Sequence, residues 1–258
     1  MTKASLILFL PLMFISGLAC TQNNTVTFTG TSFTLEYEPP TTELEPYATF
    51  LKSSGVFEEV MADLESLFKL PVPVRVIFSS EDAGPYYYKG VVNMPYQFLR
   101  SNDQLVEAIE YDGSDEEKID LILDLTEFVL YHEVGHALID MLDIPVLGKE
   151  EDAVDGFAAV LAATMDLDDV ALAAADIFDM GLELAEDEIS EAEFWDSHSL
   201  DEQRMFTIFC LIHGSDPGEH AQLLKDVGMP TEKTDECQYN YQETLRNWSR
   251  VLQGYIRN

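Results

Sequence analysis

Apolar positions along the chain recur with two different periods. From 33 to 37 (Phe-Thr-Leu-Glu-Tyr) every second residue is apolar, the period of a half-buried strand, and Pro39-Pro40 stops it. Over 46–70 the spacing changes to three and four, with Phe50, Leu51, Phe57, Val60, Met61, Leu64, Leu67 and Phe68 in helical register and Gly55 placed to interrupt them. Pro71 and Pro73 bracket a strand over 72–78, and a second strand is predicted over 86–94 with Gly90 at a bend. Pro95 suits the first turn of a helix continued by Phe98, Leu105, Val106 and Ile109. A loop over 111–116 contains Ser114, and Glu117 three residues on completes a capping-box signature. From there to about residue 142 the pattern predicts one long helix, ended by Pro145. Its apolar residues (Ile119, Leu121, Ile122, Leu125, Phe128, Val129, Leu130, Leu138, Ile139, Met141) lie on most sides, which places it in a core. Further helices are predicted over 150–165, 170–185, 200–212, 219–227 and 236–256, and Ala158, Ala159, Ala162 and Ala163 allow the first of these to pack closely. Strands confined to the first hundred residues, followed by helices, give an α+β class: a small N-terminal β-sheet and a mainly helical remainder.

The predicted core helix contains His132-Glu133-Val134-Gly135-His136, so two imidazoles fall in apolar surroundings that call for a reason. Residues four apart share a helical face, and His132 and His136 can therefore share one metal ion. Glu133 is one step round, where a carboxylate can take a proton from metal-bound water. A chance match of this pattern in a chain of such length is on the order of one in a hundred. A catalytic zinc site has three protein ligands and an open position, so a third ligand is expected downstream, among Glu150, Glu151, Asp152 and Asp155. Glu151 and Asp155 are four apart, which lets Glu151 bind metal while Asp155 accepts the N–H of a ligating histidine. Glu150 is the competing ligand, without an aspartate four residues on. The same acids would also suit a helix N-terminus, where each is worth about 0.3–1 kcal/mol.

Composition changes the picture chiefly through charge. With 258 residues and 47% hydrophobic content the chain can bury a sizeable core, but 14 basic against 48 acidic residues leave a net charge of −34. That balance argues against nucleic acid and anionic membrane surfaces as partners. It reads first as a solvated acidic surface, which a salt-rich habitat would fit; repulsion of acidic substrates and attraction of basic ones is the sharper alternative. Lys3, an apolar stretch over 5–17 interrupted by Pro11, and Gly17-Leu18-Ala19 read as a signal peptide over 1–19, too short for a comfortable membrane span. Cys20 directly after Ala19 points to a bacterial lipoprotein, although Gly17 stands where an aliphatic residue is usual; cleavage after Ala19 without lipidation is the plainer alternative. The expected location is the bacterial periplasm or cell surface, with membrane contact only through an N-terminal lipid anchor. Lipidation would leave Cys210 and Cys237 as an even pair, which an exported protein can keep as a disulfide worth about 3–4 kcal/mol in the chain-entropy model. Residues 20–32 are polar and read as a tether, leaving 33–258 as one domain.

His132, Glu133, His136, Glu151 and Asp155 together resemble the thermolysin-like gluzincins among the zincin metallopeptidases, with their downstream Glu-x-x-x-Asp. Asp140, four residues after His136, resembles an acid that some of those enzymes carry. The stretch from Tyr131 through Gly148 to Phe157 is similar to a family of bacterial metallopeptidases with no known substrate. So are the run from His198 to Arg204, and Cys210 with Gly214-Ser215-Asp216-Pro217 and Cys237. This similarity covers most of 33–258. The departures from thermolysin are a shorter connection between the second histidine and the glutamate, and Glu150 where asparagine is common. The resemblance implies a zincin-like fold, one Zn2+ per chain, and hydrolysis of a peptide or protein substrate with Glu133 as general base. His198 is the candidate oxyanion donor, held by Asp196 or Asp201, and Tyr131 is the alternative donor. Arg204 reads as an internal ion-pair partner, and His213 and His220 as structural. Two other readings stand beside this one: a non-catalytic metal-binding surface protein that binds a partner, and a zinc hydrolase of non-peptide amides. Glu133 favours an enzyme, because a pure binding module has no use for a carboxylate at that position.

Overall fold

The computed structural model describes residues 27–184 and 198–257. Five strands form one sheet: β1 (Thr27–Thr29), β2 (Phe33–Tyr37), β3 (Val74–Ser79), β4 (Tyr86–Tyr88) and β5 (Val91–Pro95), in the order β1-β2-β3-β5-β4. β2, β3 and β5 run parallel, while β1 and β4 are antiparallel edge strands. The alternation read from the sequence is the alternation of burial, with Phe33, Leu35, Tyr37, Val74, Val76, Phe78, Val92 and Met94 all within the core.

The helices are α1 (Glu45–Ser54), α2 (Val56–Leu67), α3 (Tyr96–Ala108), α4 (Asp115–Met141), α5 (Glu150–Thr164), α6 (Asp168–Leu184), α7 (Asp201–Ser215), the short α8 (Leu223–Asp226) and α9 (Thr234–Val251). The fold is thus α+β, a small sheet followed by a mainly helical remainder. Gly55 does interrupt the first helical stretch: its φ of 70° is left-handed, a conformation glycine adopts freely, and the chain turns there from α1 into α2. α4 opens with the expected capping box, Ser114 bonding the Glu117 main-chain N–H at 3.2 Å and Glu117 returning to the Ser114 N–H at 2.7 Å. Its 27 residues span about 40 Å at the α-helical rise and bury side chains on most sides, from Leu121 to Ile139. α5 packs on α4 with Val154 and Phe157 beside Gly135, and its Ala158, Ala159 and Ala162 are fully buried. The Cys210–Cys237 disulfide joins α7 to α9, with Cα atoms 4.8 Å apart.

Three elements differ from the sequence reading. The segment read as a polar tether contributes β1, because threonine suits a pleated edge even where composition is polar. The strand expected over 86–94 is a hairpin. Lys89 and Gly90 take φ of 47° and 85°, the two left-handed positions of a tight turn, and the chain folds back on itself. The helix expected over 219–227 shrinks to α8, since the Asp216 side chain accepts the N–H groups of Gly218 and Glu219 and holds the preceding residues in a turn. Among the described residues no helix is long and apolar enough to cross a membrane. The signal segment and Cys20 lie outside the described residues.

Candidate metal centre

One buried turn of α4 and the first turn of α5 meet at the site. His132 Nε2 and His136 Nε2 lie 3.3 Å apart, and Glu151 Oε2 lies 3.2 Å from the first and 3.3 Å from the second. An ion with four tetrahedral bonds of about 2.0–2.1 Å would separate its ligand atoms by about 3.3 Å, so the spacing of these three donors fits such an ion. Glu151 Oε2 is buried and accepts no well-aligned hydrogen bond, an orphaned acceptor of the kind a cation would satisfy. The donor set, two imidazoles and a carboxylate, suits zinc-like chemistry.

The other nitrogen of each imidazole is held by a different acid. His132 Nδ1 lies 2.8 Å from Asp155 Oδ1, and His136 Nδ1 lies 2.8 Å from Glu150 Oε1. With Nδ1 donating in each case, both Nε2 lone pairs are directed to the centre. Spacing favours Glu151 over its competitor Glu150, and the fold turns Glu151 towards both Nε2 atoms and Glu150 towards the far side of His136. Arg204 reaches across from α7 and grips Asp155 with two bonds, Nε to Oδ2 at 2.8 Å and Nη2 to Oδ1 at 3.0 Å, while its guanidinium stacks on Phe178.

The electrostatics follow from this crowding of acids. Burial alone would lower the pKa of His132, but the neighbouring carboxylates of Asp155 and Glu151 outweigh that and raise it. The balance is the same for His136, where Glu151 and Glu150 lift the pKa to about 9. The three imidazoles beside Glu151, His132 foremost, hold its carboxyl well below the usual carboxylate range. Burial raises Asp155, yet His132 and Arg204 together bring it down to about 2. The carboxylates that raise both imidazoles equally favour a divalent cation among them.

Glu133 is 7% exposed and sits beside this cluster. Burial pushes its carboxyl up, against the opposing pull of His132 and His136. The main-chain N–H of Tyr87, on edge strand β4, faces the Glu133 carboxylate. The same tyrosine's hydroxyl donates to Asp140 at 2.7 Å and accepts the Gly90 N–H at 2.8 Å, so it ties the hairpin to α4 about two turns beyond Glu133. Asp140 therefore anchors β4. A cleft of about 200 Å³ opens at Glu133 and His132, walled by Phe98, Phe128, Val129, Ile177 and Phe178, with His198 and Arg204 at its rim. A larger cavity of about 770 Å³ lies against Asp152, Ala153 and Gly156 of α5, between that helix and α7 and α9, away from the histidines.

His198 Nε2 is 3.1 Å from Glu151 Oε2, and its ring lies nearly parallel to that of His132 at 6.3 Å. Tyr131 is not at the centre: it is fully buried, and its hydroxyl is spent on Glu127, which excludes it as an oxyanion donor. Asp196 lies outside the described residues. His213 and His220 belong to a separate corner, where His213 Nδ1 meets the His220 carbonyl at 2.9 Å and His220 Nε2 meets Asp168 at 3.0 Å. Sequence reasoning missed the Glu150–His136 and Tyr87–Asp140 pairs, and also a contact from Lys149 Nζ to the His198 carbonyl at 2.7 Å. None of these has a local spacing signal.

A family model described as "DUF4344: Putative metallopeptidase" matches residues 37–252. Nothing among the curated proteins or the solved structures matches the chain.

Proposed function

Since the chain belongs to that metallopeptidase family, we propose that it is an exported, zinc-dependent peptidase acting outside the cytoplasm, with His132, His136 and Glu151 as the ligands of one Zn2+. The observation that carries this reading is the convergence of those three donor atoms at 3.2–3.3 Å beside a buried glutamate. When bound, the ion supplies a Lewis acid that polarises a water molecule and the scissile carbonyl.

The chain's own residues do the rest. Glu133, its carboxyl raised by burial, takes the proton from the attacking water and passes it to the leaving amine. His198, on the open side of Glu151, donates to the oxyanion as the carbonyl is attacked. Asp155 and Glu150 fix the orientation of the two ligating imidazoles. The aromatic and aliphatic walls of the adjoining cleft accept an apolar side chain of a peptide next to the scissile bond. Export is supported by the signal-like segment over 1–19 and by the Cys210–Cys237 disulfide, a bond kept in oxidising compartments. Cys20 is the proposed lipid attachment site.

The deciding experiment pairs metal content with turnover. Purified protein is expected to hold about one zinc per chain. Glu133→Gln is expected to keep that metal while cleavage of a peptide library falls by about 10²–10⁴-fold. Metal retained by a wild-type protein that cleaves no member of the library would instead support a non-catalytic binding protein.

A further inference from the structure

The first turn of α5 divides its side chains between the two halves of the site. Glu150 and Glu151 turn to the histidines of α4. The residues on either side of them turn the other way: Lys149 Nζ donates to the His198 carbonyl at 2.7 Å, and Asp152 Oδ1 accepts the Ser199 hydroxyl at 2.6 Å. Lys149 is the N-cap of α5 and makes no capping hydrogen bond. Helix N-caps are usually Ser, Thr, Asp or Asn, and a cation at that end opposes the helix dipole. A lysine there does nothing for its own helix, and the partner it meets is 49 residues away.

His198 lies in irregular backbone ahead of α7, so no helix or strand ladder fixes its direction. Lys149 holds the carbonyl of His198 and Asp152 holds the side chain of the next residue, which pins the main chain on the C-terminal side of the imidazole. Further along, the Arg204–Asp155 pair fixes the start of α7 to the same helix. With its backbone held, the His198 ring stays beside Glu151 and near-parallel to His132.

We propose that Lys149 and Asp152 are positioning residues that hold His198 over the open side of the site, so that the helix carrying Glu151 also places the oxyanion donor. Neither touches substrate; both act through His198. The proposal rests on the reading of His198 as a working group given above, and its test is built so that the two can fail separately.

The first arm needs no turnover. In the metal-free, full-length mature protein, NMR cross-peaks between the His198 and His132 rings are expected in the wild type and in Lys149→Arg, whose guanidinium can still reach the carbonyl. They are expected to vanish in Lys149→Met and weaken in Asp152→Ala. Cross-peaks unchanged in Lys149→Met would overturn the proposal. The second arm uses the zinc-loaded protein. Lys149→Met is expected to lower kcat by about 10- to 100-fold, the scale of a misplaced catalytic group, with KM and metal content little changed and with rescue by Lys149→Arg. In a His198→Asn background the same substitution is expected to add nothing, because its effect passes through the ring already removed. Losses that multiply in the double variant would overturn the proposal. If the wild type proves inactive, the hydrolase reading fails, and the first arm alone decides whether Lys149 places His198.

Discussion

Asp155 Oδ1 lies 2.8 Å from His132 Nδ1, and both groups are buried. The contact fixes which nitrogen of His132 carries the proton and so directs its Nε2 to Glu151. Asp155→Asn keeps the shape of this partner but removes its charge. Affinity for Zn2+ is expected to fall by about 10- to 100-fold, measured by competition with a chromophoric chelator. The acid limb of stability should change as well. The folded-state pKa of Asp155 is depressed to about 2 from 3.8, so its contribution is present above pH ~4 and is lost as pH falls through about 2. Denaturant titrations of the metal-free protein should therefore show a shallower loss of stability on acidification in Asp155→Asn than in the wild type.

Glu150 and Glu151 are neighbours in sequence with different work to do. Glu151→Gln is expected to abolish stoichiometric zinc binding at micromolar metal, because it removes an anionic donor from the centre. Glu150→Gln is expected to retain one zinc per chain with affinity weakened by about 10-fold or more, the effect of altering a ligand's outer partner. Elemental analysis after dialysis distinguishes the two. Equal loss in both variants would contradict the division of roles seen at His136.

Glu127 is 7% exposed on the far side of α4, bonded by the Tyr131 hydroxyl. Burial lifts its carboxyl to about 7, with smaller contributions from Asp124 and Asp63, against the lowering effect of the Tyr131 bond. Between the unfolded value of 4.5 and about 7 the folded state holds a proton that the unfolded state has lost. The stability effect is therefore absent below pH ~4.5 and becomes a full destabilisation, on the order of 3 kcal/mol, above pH ~7. Glu127→Gln keeps an acceptor for Tyr131 and cannot ionise. It should raise the melting temperature at pH 8 and leave it nearly unchanged at pH 4; a matched effect at both pH values would sink the assignment.

What the sequence could reveal was set by range. The Ser114–Glu117 box and the shared face of His132 and His136 are encoded within a few residues, and both are found as read. The alternation over 33–37 likewise needs only its neighbours to define the buried face of β2. Between Glu150 and Glu151 spacing favours Glu151, which has Asp155 four residues on, but the separate place of Glu150 behind His136 follows only from the packing of α5 on α4. Lys149–His198 and Tyr87–Asp140 join residues 49 and 53 apart, and no periodicity announces such a pair. Tyr131, the alternative donor, is next to His132 in sequence, but one step along a helix turns a side chain by about 100°, here towards Glu127.

Gly135 occupies the turn between Glu133 and His136, on the side where α5 crosses. A Cβ added there would fall 2.9 Å from both Cβ and Cγ1 of Val154 and 3.1 Å from Cδ1 of Phe157. The Val154 Cβ is fixed to its backbone and cannot rotate away, and Val154 is fully buried, so α5 itself must shift. Alanine would gain about 1 kcal/mol of helix propensity over glycine, whereas overpacking of this kind costs about 1–3 kcal/mol, so Gly135→Ala should be neutral to moderately destabilising. The larger effect is expected at the metal. α5 carries Glu151 and Asp155, and a displacement of a few tenths of an ångström moves both away from His132 together. Zinc affinity should therefore drop by tenfold or more while far-UV circular dichroism stays unchanged, and chelator competition alongside thermal melts of the metal-free protein would measure both. Full zinc affinity in Gly135→Ala would mean that the two helices can separate there without disturbing the centre.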